Sequence, residues 1–223
     1  MTRTLWAVSD LHAAVKANTK AIDSIRPTNP GDWLIVAGDV AERTEKVLKV
    51  LTKLRKRFAC VIWVPGNHEL FSRSTDTCQG RAKYDELVEG CRRIDVLTPE
   101  DPFPVFGGVT IVPLFTLYDY SFRKPGFTVE QALQAADDRQ VVLTDQFAIA
   151  PFVDIRAWCW DRLAYSIKHF GEPLAAGQRT VTTPCLARTQ PVVRDSAHQE
   201  LGETLQRTAC HLWAPAHSDN HHC

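Results

Sequence analysis

Short apolar runs alternate with amphipathic stretches in the first third of the chain. Three apolar runs, each closed by polar residues, predict three buried β-strands, at Leu5–Val8, Trp33–Ala37 and Cys60–Val64. Between them, apolar residues recur at helical spacing and predict two helices, one from Ala17 to Ile25 and one carrying Val47, Leu51, Leu54 and Phe58 on a single face. This alternation of strands and helices predicts a mostly parallel sheet with right-handed crossovers.

The same kind of pattern continues to about residue 180. It predicts two strands around a glycine turn, at Pro102–Phe106 and Val109–Leu114, and three helices, at Lys83–Arg93, Val129–Asp137 and Asp154–Phe170. The segment 141–150 fits neither a helix nor a strand clearly. Beyond residue 179 the composition changes, because five of the eight His and three of the seven Cys lie there. We therefore expect one domain over residues 1–180 and an atypical tail over residues 181–223.

Polar residues close each of the three N-terminal strands. Asp10 and His12 follow the first strand, Asp39 follows the second, and Asn67 and His68 follow the third. Since ligands gather at the carboxyl ends of parallel strands, these side chains are expected at one edge of the sheet. Each feature alone is weak, because Asp often caps helices and Asn is common in turns. Together, their carboxylate, imidazole and amide groups predict a site for Mn, Fe, Zn or Mg rather than a thiolate site.

A pair of ions at this edge would suit phosphoryl transfer. A carboxylate at Asp39, on the neighbouring strand, has the position to bridge two ions, and such a pair activates a water and neutralises charge on a phosphoryl group. His68 follows the amide ligand Asn67 directly, where it can bind the phosphoryl group or protonate the leaving oxygen.

Composition narrows the class of protein. The 26 basic and 26 acidic residues give zero formal net charge, which does not favour nucleic acid as a partner. The basic helix from Lys46 to Arg57 is either a solvated face or a groove. No apolar run reaches the roughly 18–20 residues of a membrane span, and the chain start is too polar for a signal peptide. Seven Cys without a C-x-x-C pair predict reduced thiols in the cytoplasm.

Three sequence blocks resemble the motifs of the calcineurin-like metallophosphoesterases: D-L-H from Asp10, G-D-V-A-E from Gly38 and G-N-H-E from Gly66. The resemblance implies an α/β fold, with a two-layer β-sandwich core flanked by helices in α/β/β/α order. It also implies a centre of two divalent metal ions at the strand ends.

The resemblance assigns a role to each residue of these blocks. Asp10 and His12 would bind the first ion, Asp39 would bridge the two ions, and Asn67 would bind the second. His68 would be the catalytic histidine, and the residue after it, Glu69, takes the place of the acidic residue that orients this histidine.

The C-terminal part departs from the family pattern and is expected to be incomplete. Two later His blocks of the family, N-H and G-H-x-H, are absent. The codons of Trp213–Ser218, read one nucleotide later, can spell G-H-L-H-I, so we hypothesise a change of reading frame near residues 180–185. Sequencing the gene tests this, and a shifted frame full of stop codons would contradict it. Alternatively, tail histidines replace the missing ligands, the candidates being His211, His217, His221 and His222.

These observations predict a metal-dependent phosphoesterase that hydrolyses a phosphate mono- or diester of a small substrate. The alternative is an inactive relative that binds metal or a partner without turnover. Specificity is expected from loops at residues 71–80 and 115–127. The second loop mixes aromatic and basic side chains, which either grip a substrate or pack on the core: Tyr118, Tyr120, Phe122, Arg123 and Lys124.

Overall fold

The computed structural model describes residues 3–175 and 179–184, with side chains for residues 3–169. Its first sheet is parallel, in the order β1-β2-β3, and its strands coincide with the three predicted apolar runs: β1 (Leu5–Val8), β2 (Trp33–Ala37) and β3 (Cys60–Val64). Helices α1 (Asn18–Ser24) and α2 (Thr44–Arg55) connect them. The predicted βαβαβ unit is therefore confirmed.

A second sheet of three strands, in the order β4-β5-β6, lies against the first: β4 (Val105–Phe106), β5 (Val109–Leu114) and β6 (Arg179–Pro184). Strand β4 is antiparallel to β5, whereas β6 is parallel to it over all six residues. Ile35 and Ile62 of the first sheet form one buried cluster with Ile111 of β5. This apolar layer between the sheets confirms the β-sandwich.

Successive side chains of a strand point to opposite faces of its sheet. The residues next to these isoleucines therefore lie on the outer faces of the two sheets, which the helices cover. Leu34 and Trp63 of the first sheet and Val112 of β5 belong to the main core, which also holds side chains of the helices. Besides α1 and α2, the described helices are α3 (Arg81–Arg93), α4 (Val129–Asp137), α5 (Asp145–Ala148) and α6 (Ile155–Ala175), with one 3₁₀ turn at His68–Leu70. Helices α1, α2, α3 and α6 place buried side chains in this core, whereas α4 packs against it with partly buried ones. The ambiguous segment 141–150 thus contains a single short helix.

Strand β1 differs from its prediction. The run was expected to be buried, but Trp6 is 38% exposed, because within the described residues β1 pairs with β2 alone and forms the edge of the sheet. The edge is fixed to β2 by the buried Asp32, whose carboxylate accepts hydrogen bonds from the Trp6 indole, the Thr4 amide and the 28–29 turn. Burial opposes ionisation, but these bonds outweigh it and hold the pKa of Asp32 well below its usual value.

The tail predictions lie almost wholly outside the described residues. Strand β6 confirms that Arg179 begins a strand, whereas the changed reading frame and the tail histidines concern residues beyond those described. The four cysteines in the described range form no disulfide: Cys60, Cys78, Cys91 and Cys159. None of the described helices has both the length and the apolar character required to cross a membrane.

Candidate metal centre

The three loops that follow β1, β2 and β3 meet at one edge of the first sheet. Side-chain donor atoms of His12, Asp39 and His68 all lie within 4.8 Å of one another. Asp10 adjoins this group, with its Oδ1 atom 4.0 Å from Nε2 of His12. His68, predicted as the catalytic residue, therefore shares a compact donor group with two predicted metal ligands.

Backbone strain is concentrated in these loops. Asp10, His12 and Asp39 all have positive φ angles, of 55°, 39° and 54°. Such conformations cost non-glycine residues about 1–3 kcal/mol each and persist only where the surroundings hold them. Here the Asp10 amide donates to the Gly38 carbonyl at 3.2 Å, and the His12 amide donates to the Asp39 carbonyl at 2.8 Å. The first two loops thus hold each other in the conformation that groups the donor atoms.

The third loop needs a glycine to approach Asp39. A Cβ atom on Gly66 would lie 2.1 Å from Oδ1 of Asp39, which is shorter than any non-bonded contact. With no side chain at this position, the loop comes close enough for the His68 amide to donate to the same Oδ1 atom at 3.2 Å. Gly66 therefore makes room for the carboxylate at the centre of the group.

Glu69 joins two of the loops through their backbones. Its fully buried carboxylate accepts hydrogen bonds from the amides of Asp39 at 3.0 Å, Val40 at 2.7 Å and Gly66 at 2.9 Å. Burial raises the pKa of Glu69 to about 7; the Val40 hydrogen bond opposes this rise and the Asp39 charge adds to it. The expectation that Glu69 orients His68 is therefore wrong, because its oxygens are taken by these amides.

A different carboxylate lies beside the His68 ring. Oε1 of Glu42 is 3.8 Å from Nδ1 of His68, while the ring also contacts those of His12 and Phe71, with centroids 4.7 and 4.5 Å away. Buried Lys83 supports this arrangement, because its ammonium group donates to the backbone carbonyls of Glu42 and Phe71. Burial lowers the pKa of Lys83, and the surrounding carboxylates oppose that change.

Asn67 is oriented by a pair of residues that the sequence did not reveal. Its Nδ2 atom donates to Oδ1 of Asp145 at 2.9 Å, and the Tyr118 hydroxyl donates to Oδ2 of the same carboxylate at 2.6 Å. Burial, followed by the Asp145 charge, raises the pKa of Tyr118 well above its usual value, so the hydroxyl keeps its proton. Because the amide nitrogen of Asn67 faces Asp145, its oxygen is left available as a metal ligand.

The donor set suits a hard or borderline divalent ion. Imidazole nitrogen and carboxylate and amide oxygens bind Mn, Fe, Zn and Mg, and the described cysteines lie outside the compact group. Two other observations favour an ion here, the strained loops that aim the donors and the absent Cβ at Gly66. The predicted residues thus fit a metal centre.

A cavity of about 450 Å³ opens beside Asn67 and His68. Its other walls are α4, the segment 139–146 and part of the predicted specificity loop. Four side chains named in that loop, those of Tyr118, Tyr120, Arg123 and Lys124, contribute to the lining. Phe122 does not line the cavity and is 39% exposed. The loop at residues 71–80 contributes Phe71 alone.

Comparison with known proteins agrees with this geometry. Residues 3–174 match the family model for calcineurin-like phosphoesterases. The chain is 50% identical over 170 residues to the acyl-carrier-protein phosphodiesterase PptH of Mycobacterium tuberculosis; the match covers 72% of this chain and 52%, about half, of that relative. The crystal structure of phosphopantetheinyl hydrolase (PptH) from the same organism aligns with a TM-score of 0.76 and 45% identity, over 85% of this chain and 73% of that one. The chain belongs to the calcineurin-like phosphoesterase family.

Proposed function

We propose that this protein is a metal-dependent phosphoesterase that hydrolyses a phosphodiester with two bound divalent ions. Asp10 and His12 would hold the first ion, Asp39 would be shared by both, and Asn67 would hold the second. The observation that carries this proposal is the compact group of His12, Asp39 and His68, in which the donor atoms lie within 4.8 Å on loops held in strained conformations.

The chain's own side chains supply positioning and proton transfer. When bound, the two ions supply an activated water and offset negative charge on the phosphoryl oxygens. Oε1 of Glu42 lies 3.8 Å from Nδ1 of His68, which leaves Nε2 of the ring to hydrogen-bond the phosphoryl group or the leaving oxygen. Asp145 holds the Asn67 amide with its oxygen available to the second ion.

The proposed substrate is the phosphodiester that joins phosphopantetheine to a carrier protein. This choice is supported by the 50% identity to an acyl-carrier-protein phosphodiesterase. Water adds across the bond between phosphorus and the serine oxygen of the carrier, releasing phosphopantetheine and the unmodified carrier. The earlier expectation of a small phosphorylated substrate is therefore revised to a small group attached to a protein.

The test uses the full chain with Mn²⁺ and two substrates. Bis-p-nitrophenyl phosphate reports diester hydrolysis, and a carrier protein with its phosphopantetheine group, followed by mass spectrometry, reports release of that group. We expect metal-dependent turnover of both by the wild type, its loss in Asp39→Asn, and its retention in Asp85→Asn, a matched change at an exposed residue of α3. Equal turnover by the wild type and Asp39→Asn would contradict the proposal.

One observation favours a second candidate function, metal or partner binding without turnover. The family's N-H and G-H-x-H blocks are absent from the sequence, and incomplete ligand sets hold metal weakly. Mn²⁺ binding by the wild type with no hydrolysis of either substrate would support this candidate. The expected domain boundary at residue 180 falls inside β6 (Arg179–Pro184), which pairs with β5 over its whole length. We therefore propose that the metal-binding domain includes residues 181–184 and that the atypical tail follows them.

A further inference from the structure

We infer that the cavity of about 450 Å³ beside His68 binds the pantetheine arm of the substrate, so that the carrier protein lies on the opposite side of the phosphoryl group. This inference rests on the proposed function. The cavity has the size of a small-molecule site, and its lining begins at Asn67 and His68. A phosphoryl group bound at the metal centre therefore places one of its two ester substituents in the cavity.

The lining is mainly aliphatic on one side. Helix α4 contributes Ala132, Leu133 and Ala136, and the following segment contributes Val141 and Leu143. All five side chains are only partly buried, and they leave apolar surface facing the cavity. The pantetheine arm carries methylene groups and a dimethyl group along its length, and these apolar groups gain from contact with such a wall.

The aromatic side chains of the cavity are already engaged with neighbours. Phe71 packs against the His68 ring, Tyr118 and Tyr120 meet edge to face with centroids 5.1 Å apart, and Phe127 lies beneath the Lys124 ammonium group. Tyr118 and Tyr120 are also at most 9% exposed. This lining favours a flexible aliphatic chain over a planar nucleobase, which needs an open ring face on which to stack.

Polar groups for the two amides of the arm lie on the remaining walls. Gln146 donates to the Tyr120 hydroxyl, and Thr144 lines the same side of the cavity. The Arg123 guanidinium is held by the carbonyls of Tyr120 and Phe127, so it fixes the loop. Arg139, which has no side-chain hydrogen bond or ion pair among the described residues, also lines the cavity and supplies positive charge that attracts the anionic phosphodiester.

The test narrows the cavity without changing the metal centre. Ala136→Phe places a ring in the cavity, whereas Gln134→Phe places the same ring on the exposed side of α4. Calorimetry with pantetheine, which has no phosphate, measures binding of the arm alone and requires no turnover. We expect Ala136→Phe to weaken pantetheine binding by at least about tenfold, and Gln134→Phe to bind it as the wild type does. Mn²⁺ binding, measured by the same method, should be equal in all three proteins, because neither Ala136 nor Gln134 belongs to the proposed ligand set.

Three outcomes would overturn the inference. The first is that the wild type does not bind pantetheine. The second is that Ala136→Phe binds pantetheine as tightly as the wild type does. The third is that adenosine binds at this cavity more tightly than pantetheine. Failure of the proposed function is a different result, namely no metal-dependent hydrolysis of bis-p-nitrophenyl phosphate by the wild type. Because the calorimetric measurement does not depend on turnover, the two failures are distinguishable.

Discussion

Replacing Asp145 with Ala tests whether this residue orients Asn67, because the substitution changes none of the proposed metal ligands. The Asp145 carboxylate receives one hydrogen bond from the Asn67 amide at 2.9 Å and one from the Tyr118 hydroxyl at 2.6 Å. Asp145→Ala removes both acceptors. The Asn67 amide is then free to rotate and to present its NH₂ group, which cannot bind a cation, in place of its oxygen.

Two independent estimates of the effect on metal affinity agree. A hydrogen bond to a charged acceptor contributes about 1.5–3 kcal/mol. Loss of an outer partner of a metal ligand lowers metal affinity by about 10–100-fold, which corresponds to about 1.4–2.7 kcal/mol at 1.36 kcal/mol per tenfold change. We therefore expect Asp145→Ala to bind Mn²⁺ about 10–100-fold more weakly than the wild type.

Two variants serve as controls in the calorimetric titration. Asp145→Asn keeps one acceptor oxygen for Asn67, since the Tyr118 hydroxyl can turn and accept from the introduced NH₂ group, so it should retain most of the affinity. Tyr118→Phe leaves the hydrogen bond between Asn67 and Asp145 in place and should do the same. Thermal melting by circular dichroism verifies that each variant is folded. If folded Asp145→Ala binds Mn²⁺ as tightly as the wild type, Asp145 does not position a metal ligand.

Three other substitutions test the construction of the site and the fold. Gly66→Ala should abolish Mn²⁺ binding in calorimetry, because the new Cβ displaces the Asp39 carboxylate; unchanged binding would refute this reading. Glu69→Ala leaves three buried amides without their acceptor and should lower the free energy of unfolding by about 3–5 kcal/mol, whereas a change within about 0.5 kcal/mol in urea unfolding would refute the role of Glu69. Asp32→Asn should destabilise the protein at neutral pH. Because the folded-state pKa of Asp32 is depressed, the wild-type advantage is complete above the usual Asp pKa of 3.8 and is lost as the pH falls through the lower folded pKa. Urea unfolding of both proteins between pH 5 and about pH 2 measures this loss, and a difference that stays constant over that range would contradict it.

The strands and the ligand loops were predictable because their determinants are local. Apolar runs closed by Asp10, Gly38 and Pro65 mark the ends of β1, β2 and β3, and parallel strands bring their carboxyl ends to one edge. The edge position of β1 was not predictable in the same way, because an apolar run reports hydrophobicity and not which strands lie beside it.

The residues that position the candidate metal ligands and His68 were not predicted, because their partners are distant in the sequence or are backbone groups. Asp145 meets Asn67 across 78 residues and belongs to a four-residue helix, which is too short to produce a periodic pattern. Glu69 stands next to His68 in the sequence, but its carboxylate binds amides of the loop after β2 and of Gly66 in its own loop, and backbone amides leave no trace in a sequence motif. Glu42 was present in the second motif block, yet only the folded chain places it beside the His68 ring.

The central claim is that the carboxyl edge of the first sheet holds the metal ions. Anomalous diffraction from crystals of the full chain grown with Mn²⁺ tests this most directly, because it locates each ion relative to named side chains. We predict two peaks, one beside Asp10 and His12 and one beside Asn67, with Asp39 between them. Peaks confined to other parts of the chain, such as the histidines of the tail, would contradict the proposed centre.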